Sequence, residues 1–185
     1  LAVQPEKFFG YYRTHMIYPD AAPNGAHRAL AELERRGKLT AVVTQNIDGL
    51  HQAAGSVNVI ELHGSVMRNY CVRCGRRYPL AYITESTGVP RCEACGALVR
   101  PDVVLYGECL DGEAWSRAEE AISAADVLIV GGTSLTVQPA ASLVGLYEGD
   151  HLIIINKTPT PYDGYAETVI RDPIEDVLES VVERL

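Results

Sequence analysis

Four cysteines stand in two Cys-x-x-Cys pairs, Cys71/Cys74 and Cys92/Cys95, separated by residues 75–91. In a reducing compartment this spacing reads as a zinc site rather than as disulfides. Four thiolates close a tetrahedral shell and leave no position for water, so such a site is structural. A fifth cysteine, Cys109, lies outside that spacing and reads as an ordinary thiol. A second set of polar residues follows four apolar runs. These are Gln45-Asn46-Ile47-Asp48-Gly49, His63-Gly64, Gly131-Gly132-Thr133-Ser134 and Asn156-Lys157. Carboxamides and a carboxylate suit a hydroxyl-rich ligand, glycines admit close backbone approach, and an imidazole is the side chain best suited to general-base work near neutrality.

Each of these has a plainer reading alone. Asp48 can cap a helix, a Gly-Gly pair marks a turn, a single histidine is often structural, and Asn156 can simply end a strand. Their joint occurrence at strand ends favours a site for a large polar ligand, because open α/β sheets bind ligands at the carboxyl ends of their strands.

The elements that must position these residues follow from pattern. Helices are expected from Pro5 to about Met16, from an Asn24 cap to Arg36 with Gly37 as the stop, over Asp111–Ala124 and Gln138–Tyr147, and from Asp172-Pro173-Ile174-Glu175 to the end. Asp48 is expected to cap a short helix that ends at Gly55. Strands are expected at 39–44, 57–62, 126–130, 151–155 and 167–170. Alternation of helix and fully apolar strand implies an α/β fold: a Rossmann-like, mostly parallel sheet with helices on both faces. Residues 66–100 break the pattern with arginines, cysteines and glycines. They read as a small zinc-binding module, its shape set by metal more than by a core, inserted between 1–65 and 101–185.

The chain has 185 residues, 47% hydrophobic and 22% charged, which supports a core without disulfide staples. Its net charge of −8 argues against phosphate-backbone binding as the main activity and suits a basic protein or peptide substrate. No run approaches the ~20 apolar residues of a membrane helix, and the opening residues lack the layout of a signal peptide. The expected location is the cytoplasm, with no membrane and no direct nucleic-acid partner. The arginines at 68, 73, 76, 77 and 91 keep open a nucleic-acid-binding zinc ribbon as a minor rival.

Thr44-Gln45-Asn46-Ile47-Asp48-Gly49-Leu50-His51, Glu61-Leu62-His63-Gly64, the two cysteine pairs, Arg100 to Glu108, and Gly132-Thr133-Ser134-Leu135 together resemble the ordered signature of the sirtuin family, bacterial type. The resemblance runs from about Pro23 to the C-terminus. It implies an NAD-dependent protein-lysine deacylase: the acyl oxygen attacks the nicotinamide-bearing ribose carbon, nicotinamide leaves, and the acyl group ends on ADP-ribose. By matching positions, it makes His63 the general base on a ribose hydroxyl. Asn46 and Asp48 hold the nicotinamide ribose and carboxamide, with Gln45 and Ile47 beside them. Gly132, Thr133 and Ser134 meet the phosphate and adenosine side. Asn156 contacts the adenosine ribose, with Lys157 also among the cofactor-binding residues, and residues near Ile174 the adenine. Val104, Leu105 and Tyr106 line the acyl-lysine channel and pair with the peptide as a strand. Zn2+ is structural, on Cys71, Cys74, Cys92 and Cys95.

The sequence departs from the family in two respects. A glycine-rich NAD-binding segment is expected before this sequence and is absent from it, so this polypeptide alone is expected to bind NAD poorly. Leu105 and Tyr106 stand where many relatives carry phenylalanine, and acetyl is the default acyl group. Two other functions stay open at this point: mono-ADP-ribosyl transfer, and non-catalytic binding of NAD or ADP-ribose. A pure binder needs no base, so His63 together with Asn46 and Asp48 weighs against the latter.

Overall fold

The computed structural model describes Leu1 and residues 3–185. In chain order the elements begin with α1 (Pro5–His15), α2 (Gly25–Arg35), β1 (Val42–Thr44), α3 (Leu50–Ala53), β2 (Val59–Glu61), β3 (Gly64–Cys71) and β4 (Arg77–Pro79). They continue with α4 (Leu80–Thr84), β5 (Val99–Val103), α5 (Gly112–Ser123), β6 (Val127–Gly131), β7 (His151–Ile155), β8 (Thr168–Ile170) and α6 (Ile174–Arg184). They form two compact units, one of Ala22–Gln45, Leu50–Leu62 and Leu110–Leu185, the other of Leu1–Ala21, Asn46–Gly49 and His63–Cys109.

The larger unit is parallel α/β. β1 pairs with β2, from Val42 opposite Val59 to Thr44 opposite Glu61. β7 lies between β6 and β8, parallel to both. Alternate residues of β7 enter different cores, as the period of two in a strand requires. Leu152 and Ile154 pack with Leu135, Ala141 and Val144. Ile155 packs with Ala26 and Ala29 of α2 and Leu178 of α6. Ile60 and Leu62 meet Ala118 and Ile122 of α5 in a third cluster. Helices thus cover both sides of the strands.

The parallel strands form two ladders, of two and three strands. Among the described residues β6 pairs on one side only, and Val127 and Ile129 are half exposed. The strand expected at 39–44 starts at Val42, and the helix expected at 138–147 is a 3-10 helix over Ala140–Leu146. Pro139 supplies no amide hydrogen there, and Gly145 lowers helical propensity. Helix α6 begins at Ile174 with Pro173 in the capping position and no side-chain cap bond, so Asp172 does not serve as the expected cap.

α2 is set by its cap. The Asn24 side chain accepts from the His27 amide at 3.2 Å, and the His27 ring takes the Asn24 amide at 3.3 Å. The Asn24 amide group also donates to Glu175 on α6 at 3.1 Å. Gly37, at φ 69°, ends the helix in a conformation that favours glycine.

The smaller unit is built on an antiparallel sheet in the order β4-β3-β5. Its strands were not expected, because arginines and cysteines interrupt any alternation. The region expected to depend on metal more than on a core also has a buried cluster. Val66, Tyr78, Ile83, Val99 and Val103 form one buried cluster with Phe9 and Tyr12 of α1 and with Cys71 and Cys92. Pattern reading within 66–100 missed this because the largest apolar groups come from more than fifty residues upstream. Arg13 adds hydrogen bonds to the Ile83 carbonyl at 2.8 Å and to Ser86 and the Gly88 carbonyl, each at 2.7 Å. No helix among the described residues is long and apolar enough to cross a membrane.

Replacing Asn24 by Ala is expected to destabilise the chain by ~1 kcal/mol, read as a lower denaturant midpoint at unchanged slope. Asn24→Ser, which keeps the cap but not the bond to Glu175, is expected to recover most of that loss.

Candidate functional site

β1 and β2 run parallel, so the loops that leave them emerge at the same edge. The Leu62 amide still bonds to the Thr44 carbonyl at 3.0 Å. Gln45-Asn46 and His63 follow directly from these two residues. In the smaller unit the two loops are then tied together: the Val66 amide donates to the Ile47 carbonyl at 2.9 Å, and the Ser65 hydroxyl reaches the same oxygen at 3.4 Å. Asn46 and Asp48 are exposed, and Ile47 and His63 half-buried. The His63 carbonyl accepts from the Val104 amide at 3.0 Å. The backbones of the imidazole-bearing loop, the Asn46–Asp48 loop and the start of the 104–106 segment therefore form one hydrogen-bonded neighbourhood.

Gly64 makes this possible. Its φ is 73°, and a Cβ there would lie 2.0 Å from the Asp102 carbonyl oxygen. Only glycine lets β3 approach the end of β5 so closely. Beyond β5, Leu105 is half-buried, and the Tyr106 side chain is fully exposed.

The remaining residues of interest lie in the larger unit. Gly131 pairs with Ile155 at the carboxyl ends of β6 and β7, the Gly132 amide bonds to the Ile155 carbonyl at 3.1 Å, and the Asn156 amide bonds to the Ile170 carbonyl at 3.0 Å. Gly132, Asn156, Lys157 and Ile174 line one pocket, together with Ile155, Asp172, Pro173 and Glu175. A Cβ on Gly131 would come within 2.1 Å of the Ile174 side chain, so that glycine makes room for the pocket wall. Thr133 and Ser134 do not line it. The Thr133 hydroxyl accepts from the Leu135 amide at 3.2 Å, and the Ser134 hydroxyl bonds to that of Thr136 at 2.8 Å. The Asn156 carboxamide donates to the Thr158 carbonyl at 2.8 Å, which holds its own loop. Arg171 fixes the same loop through the Asn156 and Thr158 carbonyls and pairs with Asp163. Sequence reading missed Asp172, Glu175 and Arg171; the polar run before α6 was read only as a helix start.

The four cysteine sulfurs all lie within 4.8 Å of one another. Cys71 and Cys95 are 3.4 Å apart, and Cys74 and Cys92 3.6 Å. Zinc–sulfur bonds of ~2.3 Å in a tetrahedron give sulfur–sulfur edges of ~3.8 Å, so the cluster fits that ion. Each Cys-x-x-Cys turn closes on a glycine, with the Gly75 amide bonded to the Cys71 carbonyl at 3.0 Å and the Gly96 amide to the Cys92 carbonyl at 2.8 Å. Electrostatics point the same way. The Tyr78 hydroxyl donates to Cys92 at 3.2 Å, and that bond brings the Cys92 thiol down to about 6. Burial opposes ionisation of Cys71, yet the Cys74 and Arg73 amides leave it below the ordinary thiol range. The Ala97 amide pulls Cys95 down, but the Cys71 sulfur, burial and the other two sulfurs push it up to about 12. Four thiolates cannot coexist this closely without a cation between them. Tyr78, which sequence reading did not single out, supports the cluster through its hydroxyl.

Comparison with known proteins agrees with this geometry. The Sir2 family profile matches residues 1–139. The chain is 56% identical over 178 residues to an NAD-dependent protein deacetylase of Clostridium acetobutylicum, covering 96% of this chain and 73% of that protein. It is 57% identical over 180 residues to one of Clostridium perfringens, covering 97% and 74%. Among solved structures, it superposes on a Sir2 bound to acetylated peptide with a TM-score of 0.92 at 41% identity, covering 99% of this chain and 79% of that one. For a Sir2 homologue–NAD complex the TM-score is 0.90 at 40% identity, covering 99% and 73%.

Three outcomes follow for the site. Gly64→Ala is expected to cost on the order of 2 kcal/mol in stability, because it adds both overlap and left-handed strain; an unchanged thermal midpoint would contradict the close approach. Chelation is expected to loosen residues 66–100, seen as faster amide exchange there. Tyr78→Phe is expected to weaken zinc binding by ~10–100-fold in competition with a chromophoric chelator.

Proposed function

Because the chain belongs to the Sir2 family, we propose that it acts as an NAD-dependent protein-lysine deacylase, with acetyl-lysine proteins or peptides as substrates and acetyl as the default acyl group. The supporting observation is the hydrogen-bonded neighbourhood of Ile47, Val66, His63 and Val104, which gathers an imidazole, a carboxamide–carboxylate loop and an open backbone segment. The solved relatives bound to acetylated peptide and to NAD support the same reading.

In this reading NAD is the co-substrate, and it supplies a ribose whose bond to nicotinamide can be broken. Asn46 and Asp48, with Gln45 and Ile47 beside them, hold the nicotinamide ribose and carboxamide. The Asp48 carboxylate favours the positive charge that develops on the sugar as that bond breaks. His63 takes the proton from a ribose hydroxyl, so that the hydroxyl can accept the acyl group. Gly132, Thr133 and Ser134 serve the phosphate and adenosine side, Asn156 the adenosine ribose, with Lys157 beside it on the cofactor, and residues near Ile174 the adenine. Val104, Leu105 and Tyr106 receive the acyl-lysine. Zinc on Cys71, Cys74, Cys92 and Cys95 supports the module of residues 66–100 and takes no part in the chemistry.

The net charge of −8 suits a basic protein substrate better than a nucleic acid. A thiolate tetrad needs a reducing compartment, which supports action in the cytoplasm.

The deciding experiment follows nicotinamide release from NAD by the zinc-loaded protein, with and without an acetyl-lysine peptide. Peptide-dependent release with matching loss of the acetyl group is expected. Release without peptide would favour ADP-ribosyl transfer, and none under either condition would favour another acyl group or a binding role. His63→Ala is expected to lower turnover by ~10²–10⁴ at an unchanged fold; near-normal turnover would remove His63 from the mechanism.

A further inference from the structure

The segment after β5 is held by a pair of side chains that the reaction does not use. Arg100, on β5, points its guanidinium at Glu108 with both arms: Nη1 to Oε1 at 2.6 Å and Nη2 to Oε2 at 2.9 Å. Nη2 also donates to the Val103 carbonyl at 2.9 Å, and the guanidinium lies 5.9 Å from the centre of the Tyr70 ring. Glu108 Oε2 in turn accepts the Leu105 amide at 3.0 Å, and the Glu108 amide donates to the Leu105 carbonyl at 2.9 Å. This closes a turn over Leu105–Glu108, with Gly107 at φ 88° in the position that demands glycine.

Both backbone groups of Leu105 are therefore engaged by one residue, and the Val104 amide is taken by His63. Among the described residues, the Val104 carbonyl and the Tyr106 amide enter no backbone hydrogen bond. A peptide strand would thus find the Val104 carbonyl and the Tyr106 amide open, and both backbone groups of Leu105 already taken.

We propose that Arg100 and Glu108 are positioning residues for the acyl-lysine peptide, a latch that occupies Leu105 and so sets the register in which Val104 and Tyr106 meet it. This rests on the reading of Val104–Tyr106 as the peptide-pairing segment. The latch is suited to the task. The Arg100 side chain is only 15% exposed and that of Glu108 38%, so the fork is shielded on the arginine side. Hydrogen bonding from Arg100 holds the Glu108 carboxyl down to about 2, so it stays ionised throughout the neutral range. Glu108 contributes to none of the apolar clusters, so its loss should disturb the segment more than the core.

The test uses the zinc-loaded chain and a fluorescein-labelled acetyl-lysine peptide, with affinity read by fluorescence polarisation, amide exchange read at Leu105, and the thermal midpoint as control. Glu108→Ala is expected to speed Leu105 exchange and weaken peptide binding, each by ~10-fold, with the midpoint nearly unchanged. Glu108→Gln keeps an oxygen for the Leu105 amide and is expected to recover part of both losses. Arg100→Lys keeps the charge but not the fork, and is expected to fall between. Faster exchange with unchanged affinity would overturn the latch, as would losses that merely track a fallen midpoint in every variant. Tyr106→Ala separates the two readings. If it weakens binding while Glu108→Ala does not, the latch alone fails. If neither change matters, or the unaltered chain binds no peptide, the reading of the segment fails and the latch with it.

Discussion

Strand β3 can lie against the end of β5 only because residue 64 has no side chain. A Cβ would stand 2.0 Å from the Asp102 carbonyl oxygen, well inside contact. Much else in the smaller unit follows from that approach. The imidazole-bearing residue immediately precedes β3, and its carbonyl takes the Val104 amide where β5 ends. At its other end β3 finishes on Cys71, which faces Val99 across the same ladder. An eight-residue strand of ~26 Å thus joins the candidate base to the first thiolate of the metal cluster. Arg68, reaching Asp102 at 2.9 Å, adds a partly exposed ion pair along the same ladder, worth little beside the backbone pairing.

Metal and apolar packing share the work of shaping this unit. The cysteine cluster orders two short turns that a polar stretch could not hold alone. The sheet behind it is anchored by Phe9 and Tyr12, both wholly buried. Cys71 and Cys92 belong to both systems, being sulfur ligand candidates and members of the buried cluster at once. The Tyr78 hydroxyl bridges them, donating to sulfur and accepting the Glu93 amide at 3.0 Å.

Much of this could be read in the residues before any coordinates. The α/β class followed from fully apolar runs such as Leu152–Ile155, and the gathering of four cysteines from their spacing. Short-range signals carried those readings. The antiparallel β3–β5 pairing escaped because Arg68, Asn69 and Arg100 spoil the alternation that marks a strand, and because its stability depends on residues far away in sequence. Helical pattern over 138–147 was correctly seen as structured, but Pro139 and Gly145 tighten it to a 3-10 turn. Asp172 looked like a helix cap because its spacing suits one; it lines the pocket beside Ile174 instead. Arg100 and Glu108 were visible only as part of a familiar string, since nothing in the order of letters shows that two side chains eight positions apart grip each other.

The turn at Leu105–Glu108 also bears on how fast a partner comes and goes. A segment whose backbone is already fixed loses little conformational entropy when something pairs with it. Encounter then needs no slow ordering step, and differences between partners fall on the rate of departure. The exposed Tyr106 ring stands beside that fixed backbone. It would adjust to what lies over it while the chain beneath stays still, so residence time would be written mainly in side-chain contacts.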